Sequence, residues 1–221
     1  AFWYTAAFTV VSVILINVLA FAVALLLTKG FKGTNIFRTV FFMPNLIGGI
    51  VLGYIWQLLL NGILMKFSRT LTYSSTYGFW GLIILMCWQQ IGYMMIIYIA
   101  GIQNIPGELI EAAEIDGATK WKQITDITLP LLKPTVITML ILSVGRIFAS
   151  DFGLFYQIPK NSGALYNVTQ TIDVYVYNAL MKNADYGMSS AASVFQSIVG
   201  FLFVVVANAL VRKYSEENAL F

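Results

Sequence analysis

Apolar residues run along this chain in five long blocks, at roughly 4–28, 39–60, 79–103, 135–155 and 188–211. Each approaches or exceeds the ~20 residues that an α-helix needs to cross the hydrocarbon of a bilayer. The pattern predicts an all-α, polytopic membrane protein with five spans in this chain. The fourth block is the least clean, because Arg146 and Asp151 interrupt it. Internal repeats and low-complexity tracts are not evident, so residues 1–221 read as one transmembrane domain.

The polar intervals carry an orientation signal. Lys29, Lys32 and Arg38 crowd the first, Lys120, Lys122 and Lys133 lie in the third, and Arg212 and Lys213 follow the last span. Cytoplasmic loops are enriched in Lys and Arg, and these three places alternate correctly for one cytoplasmic side. The outer loops are then 61–78 and 156–187, each with only two basic residues. The N-terminus falls outside, so at least one more span is expected before residue 1, giving six in the full subunit. Aromatic rings suited to the headgroup level sit near the expected interfaces, with Phe2, Trp3 and Tyr4 at the start of the chain and Phe79 and Trp80 at the third span.

Composition narrows the class. Mean hydropathy is +0.79 and charged residues make up 10%, against about 25% in soluble domains. The net charge of +3 is small and its cations sit at span ends, so nucleic acid is not an expected partner. There is no histidine, which argues against bis-histidine haem and a histidine proton relay. A GxxxxGK[ST] phosphate loop is also missing, so energy for work has to come from another subunit. The single cysteine, Cys87, lies in an apolar run and says little about redox compartment. The first residues show no basic segment of the kind that opens a signal peptide.

The third interval, about 104–134, is a polar island with order in it. Asn104-Ile105-Pro106-Gly107 ends span three and opens a helix, with proline at a turn where its missing N–H costs nothing. Glu108, Glu111 and Glu114 follow at three-residue spacing, near the positive end of the helix dipole. Ala112, Ala113 and Ala118 keep the helix thin, and Gly117 can end it in a left-handed conformation. A second short helix with Trp121, Ile124 and Ile127 follows, and Pro130 is expected to stop it. A folded polar element between spans points to a partner in the cytosol.

Glu111-Ala112-Ala113, Asp116-Gly117-Ala118 and Ile127-Thr128-Leu129-Pro130 resemble the EAA loop of the permeases of binding-protein-dependent ABC importers. With Trp121 and Leu129-Pro130-Leu131-Leu132 the wording is similar to the maltose-type carbohydrate branch. The resemblance covers essentially the whole chain. It implies a coupling helix seated in a cleft of an ATP-binding subunit, with Glu111 making the charged contact and Gly117 allowing close approach. It also implies two ATP-binding cassette subunits that hold the ATP and Mg, a second homologous permease and an extracytoplasmic solute-binding protein. No cofactor is expected in this chain, and it is not itself an enzyme. The location implied is a bacterial or archaeal cytoplasmic membrane.

Polar groups inside a bilayer are costly and so are functional candidates. Trp88, Gln89, Gln90 and Tyr93 lie in span three; Ser143, Arg146, Phe148 and Asp151 lie in span four. Amide and charged groups suit sugar hydroxyls, and aromatic faces suit the C–H surface of a sugar ring. By the resemblance, Trp88–Tyr93 matches the stretch lining the midmembrane sugar site of maltose-type permeases. Ser143–Asp151 matches its counterpart after the EAA loop, with a small gap near Asp151. Arg146 and Asp151 depart from the small or amide residues usual there. Helix packing is the competing reading. It is favoured for Asn17, Gln57 and Asn208 and for the Gly49/Gly53 pair, and weighs evenly with substrate contact for Gln89, Gln90, Tyr93 and Asp151. Arg146 leans towards ion pairing. The sequon Asn167-Val168-Thr169 reads as coincidence.

The outer segment 171–181 is amphipathic and reads either as a lid on the membrane surface or as a contact for the binding protein. The reading as a whole is an importer permease for a sugar or oligosaccharide working by alternating access. Its nearest rival is the same architecture carrying glycerol phosphate, with Arg146 attracting the anion. A more distant rival is an ion-coupled secondary transporter.

Overall fold

The computed structural model describes residues 2–30, 32–67, 69–70, 74–145, 152–157, 165, 169–214 and 219. Regular structure among them is helical. In chain order the helices are α1 (Phe2–Leu27), α2 (Thr34–Phe42), α3 (Gly49–Met65), α4 (Ser75–Gln103), α5 (Gly107–Ile115), α6 (Lys120–Gln123), α7 (Leu129–Gly145), α8 (Phe152–Gln157), α9 (Ile172–Met181) and α10 (Tyr186–Tyr214). Four described stretches are long and apolar enough to cross a membrane: Trp3–Leu27, Ser75–Gln103, Lys120–Val144 and Tyr186–Lys213.

The second expected span, 39–60, is not one helix. Thr34–Leu46 and Gly49–Met65 meet at a bend of 106°. Pro44 lies in a 3₁₀ turn, Met43–Leu46, and has no N–H with which to extend the α ladder. Ile47 and Gly48 then adopt extended backbone, with ψ of 126° and 139°, before α3 restarts. Apolar content survives such a break, so hydropathy alone reads straight across it.

The fourth expected span, 135–155, starts earlier than its apolar block. Pro130 does not stop the preceding helix, because Lys120–Val144 runs on as one 25-residue element. A π-helical turn, Ile124–Thr128, joins α6 to α7, and the Leu129 N–H reaches back to the Ile124 carbonyl. This widened turn sits immediately before Pro130, where an N–H is missing and a tight helix would clash. Hydroxyls satisfy carbonyls there: Thr125 Oγ1 donates to Trp121 O at 3.2 Å and Thr128 Oγ1 to Gln123 O at 3.3 Å. Pro134 is carried inside α7. Arg146, Phe148, Asp151 and the sequon asparagine Asn167 lie outside the described residues.

The core forms where α1 lies along α4. Ala20 and Ala24 are fully buried, and their small side chains let the backbones approach closely. Leu82, Leu85, Met95 and Tyr98 fill the α4 side. The Tyr98 hydroxyl donates to Asn17 Oδ1, which ties the two spans together. At the end of α1, Arg38 Nη2 donates to the Leu27 carbonyl at 3.3 Å, a cation on the negative end of the helix. Gly92 of α4 abuts the last turn of α2, with Phe41 and Phe42 backbone where a side chain would go. Gly153 meets α3 at Gly49 and Ile50 in the same manner, and Gly53 is buried. Phe195, Ile198, Phe201 and Val206 stand exposed along α10, a surface for hydrocarbon or another membrane subunit.

Candidate functional site

Two places gather the candidate residues. The first is the polar island at the end that the charge pattern assigns to the cytoplasm. Helix α5 contains no buried residue. Glu111 and Ala112 are exposed, Ala113 is half-buried, and Asp116 forms the exposed C-cap. The helix closes with a pair of bonds that the sequence anticipates. Gly117 has φ of +76°, its N–H donates to Glu114 O at 3.0 Å, and Ala118 N–H donates to Ala113 O at 2.8 Å. This 5→2 and 6→1 pattern satisfies carbonyls left orphaned at a helix end. A Cβ on Gly117 would meet nothing within 4 Å, so the glycine is demanded by backbone angle and not by space. Gly117→Ala is expected to destabilise this cap by about 1 kcal/mol. Amide exchange at 113–118 should rise about fivefold, with the spans unaffected.

Thr119 then caps α6, accepting from Lys122 N–H at 3.3 Å. Lys120 forms an ion pair with Glu114 across the glycine turn, and its Nζ also donates to Gln123 Oε1 at 3.3 Å. The Lys120 ammonium, through its hydrogen bond and its charge, holds the Glu114 carboxyl below its ordinary range. That support is therefore complete at neutral pH and is lost only as acid protonates the lowered carboxyl. Ile115 and Trp121 are 87% and 72% exposed beside this turn. Leu129 and Pro130 are exposed at the start of α7. The result is a rigid, thin helix–turn–helix with acidic and large apolar groups on its surface.

The second place is a cavity of about 560 Å³ walled mainly by α1, α4 and α7. Helix α4 contributes Met86, Gln90, Tyr93 and Met94, and α7 contributes Met139, Leu142 and Ser143. Helix α1 adds Thr5, Thr9, Ser12 and Asn17, with Phe8, Val13 and Ile16 between them. Phe155 and Thr171 complete the lining. Phe8 and Phe155 stack edge-to-face at 4.9 Å, and Tyr4 and Phe79 join them in one aromatic cluster at the outer end.

Gln90, Tyr93 and Ser143 therefore meet in one space. Gln89 does not line it; its side chain is buried elsewhere, 5% exposed. Trp88 does not line it either and stacks on Trp56 at 5.2 Å between ring centres. Asn17 both packs and lines: its Nδ2 donates to Val13 O at 2.7 Å, and it belongs to the cavity wall. Gln57 and Asn208 are buried. The sequence reading missed Thr5, Thr9 and Ser12. The signal was available, since 5, 9 and 12 fall on one helical face. Hydroxyl residues are common in spans, and that made the stripe easy to pass over. The outer segment forms α9, capped by Thr171, whose hydroxyl accepts from Val174 N–H at 3.4 Å. Asp173 of α9 accepts a hydrogen bond from Gln196 of α10 at 3.0 Å.

Residues 16–216 match the family described as binding-protein-dependent transport system inner membrane component. The chain belongs to that family. It is 34% identical to the probable starch degradation products transport system permease protein AmyD of Thermoanaerobacterium thermosulfurigenes, over 98% of this chain and 77% of that protein. It is 30% identical to the trehalose/maltose transport system permease protein MalF of Thermococcus litoralis, over 93% of this chain and 73% of that one. It is equally, at 30%, identical to the sn-glycerol-3-phosphate permease UgpA of Brucella abortus, over 95% and 74%. A bacterial alginate ABC transporter, solved with an alginate pentasaccharide-bound periplasmic protein, shares the fold. The TM-score is 0.86 at 24% identity, covering 96% of this chain and 77% of that one. The chain is thus a multi-pass membrane permease of an ABC importer, a transport component and not an enzyme. An importer of this kind works with a solute-binding protein and ATPase subunits. An ion-coupled secondary transporter is set aside.

Proposed function

We propose that this permease carries a sugar or oligosaccharide through the cavity between α1, α4 and α7. The observation that carries the reading is the meeting of Gln90, Tyr93 and Ser143 in one 560 Å³ space with aromatic and hydroxyl walls. Amide and hydroxyl groups match ring hydroxyls, and the exposed Tyr93 ring offers a face to the C–H surface. Relatives named for starch degradation products and trehalose/maltose support the same cargo.

In this reading residues 1–221 form one domain and pair with a second permease of the same kind. Two ATP-binding cassette subunits hold ATP and Mg, and an extracytoplasmic binding protein delivers the sugar in a bacterium or archaeon. Segment 104–134 is the coupling loop. Glu111, Ala112, Ala113, Asp116 and Gly117 contact the ATPase, and Leu129 and Pro130 begin the helix that leads to Ser143. Arg146, Phe148 and Asp151 remain candidates for the sugar path, and Gln89, buried outside the cavity, does not.

Tyr93→Ala and Gln90→Ala test it. Each is expected to lower sugar-dependent uptake about 5- to 20-fold in proteoliposomes of the whole importer, the range for a lost hydrogen bond or ring contact. Binding-protein affinity for the sugar should stay unchanged. Uptake at the normal rate in both variants would remove this cavity from the path. Glycerol phosphate stays the second reading, favoured by the relatives named for it.

A further inference from the structure

We infer that the cavity selects an uncharged, hydroxyl-rich ligand over phosphorylated or carboxylated ones, with Ser12 and Ser143 as specificity-determining acceptors. The inference rests on the sugar reading above and deepens it. Relatives of this chain are named for neutral and for anionic cargo alike, so family membership does not choose between them.

The direction of the hydroxyl protons chooses. Ser12 Oγ donates to Thr9 O at 3.0 Å, Thr9 Oγ1 donates to Thr5 O at 2.8 Å, and Ser143 Oγ donates to Met139 O at 2.7 Å. All three side chains line the cavity, from α1 on one side and α7 on the other. A hydroxyl has one proton and two acceptor lone pairs. Back-bonding to the helix's own carbonyl commits the proton and leaves acceptance as the remaining capacity. Donation also polarises the oxygen and strengthens it as an acceptor. Asn17 has one amide hydrogen committed in the same way, to Val13 O at 2.7 Å.

Among the described lining residues there is no Lys or Arg. A phosphate or carboxylate carries acceptors only. Among the described lining residues it would lose water and find only neutral donors, such as the Gln90 and Asn17 amides and the Tyr93 hydroxyl, beside the serine acceptors, with no cation to offset its charge. A sugar hydroxyl brings its own proton to Ser12 or Ser143 and can accept in turn from Gln90 or Tyr93. The wall therefore discriminates by rejecting anions as well as by binding neutral ligands.

The test uses the whole importer with its binding protein, held in nanodiscs. It is incubated with neutral gluco-, manno-, galacto- and xylo-oligosaccharides, oligogalacturonates and sn-glycerol 3-phosphate, and the retained ligand is identified by mass spectrometry. A neutral oligosaccharide is expected. Ser12→Ala and Ser143→Ala should each lower its retention and coupled uptake about fivefold, and Ser12→Thr, which keeps the acceptor, should restore both. Retention of an oligogalacturonate overturns the inference and leaves the sugar reading standing. Retention of glycerol phosphate, or of nothing while the binding protein still stimulates ATP hydrolysis, overturns both. A neutral sugar retained equally by the serine variants removes Ser12 and Ser143 from its selection.

Discussion

Gly92→Ala is expected to destabilise the permease strongly. A Cβ at this position in α4 would lie 1.9 Å from Phe41 O, 2.4 Å from Phe41 C and 2.7 Å from Phe42 Cα. These are backbone atoms of α2, one turn before Pro44, and cannot rotate aside. The helices must separate, which opens the α1–α4 core beside them. Overpacking of a yielding core costs about 1–3 kcal/mol, and a backbone obstruction belongs at or above the top of that range. For a domain of this size, about 3 kcal/mol lowers Tm by roughly 6–12 °C. Gly101→Ala is the control. Its Cβ would meet Leu132 Cδ2 at 2.4 Å, the end of a side chain that can change rotamer. Thermal unfolding of detergent-solubilised complexes compares them, and equal stability of the two variants would contradict the α2–α4 contact.

Glu111→Lys is expected to separate ATP hydrolysis from transport without unfolding anything. Glu111 is exposed on a helix that buries no residue, so the substitution should change stability by no more than about 0.5 kcal/mol. A charge-assisted contact with a partner is worth about 1.5–3 kcal/mol, and reversal adds repulsion. Solute-dependent uptake should fall about 10- to 100-fold, while the purified variant melts with the parent protein. Glu108→Lys should be milder, since Glu108 sits in the first turn and supports the helix dipole. Uptake at the parental rate in Glu111→Lys would end the assignment of this residue to coupling.

Much of this molecule was legible before its structure, and each failure has a cause. The five apolar blocks, the Gly117 terminus of α5 and the Thr171 start of α9 all follow from local chemistry: length, left-handed backbone and hydroxyl caps. The break at Ile47 and Gly48 was not legible, because hydropathy averages over direction and a bent pair is as apolar as a straight span. Pro130 misled, because proline is a stop signal only where the turn before it cannot widen. The cavity was half legible. Gln90, Tyr93 and Ser143 stand out as polar residues in apolar surroundings. The α1 stripe shows in the spacing of Thr5, Thr9 and Ser12, but that this face turns towards the cavity is a tertiary fact.

The π-helical turn has a mechanical consequence. By letting the helix continue past Pro130, it makes Lys120–Val144 one rod, about 37 Å long at 1.5 Å per residue. Trp121 stands at one end, and Ser143 of the cavity wall stands at the other. A tilt of about 10° pivoting at the lower end would sweep the upper end by about 6 Å over that length, a shift wide enough to reshape a pocket. A loop here would absorb torque; under the coupling role proposed above, a continuous helix would pass it on.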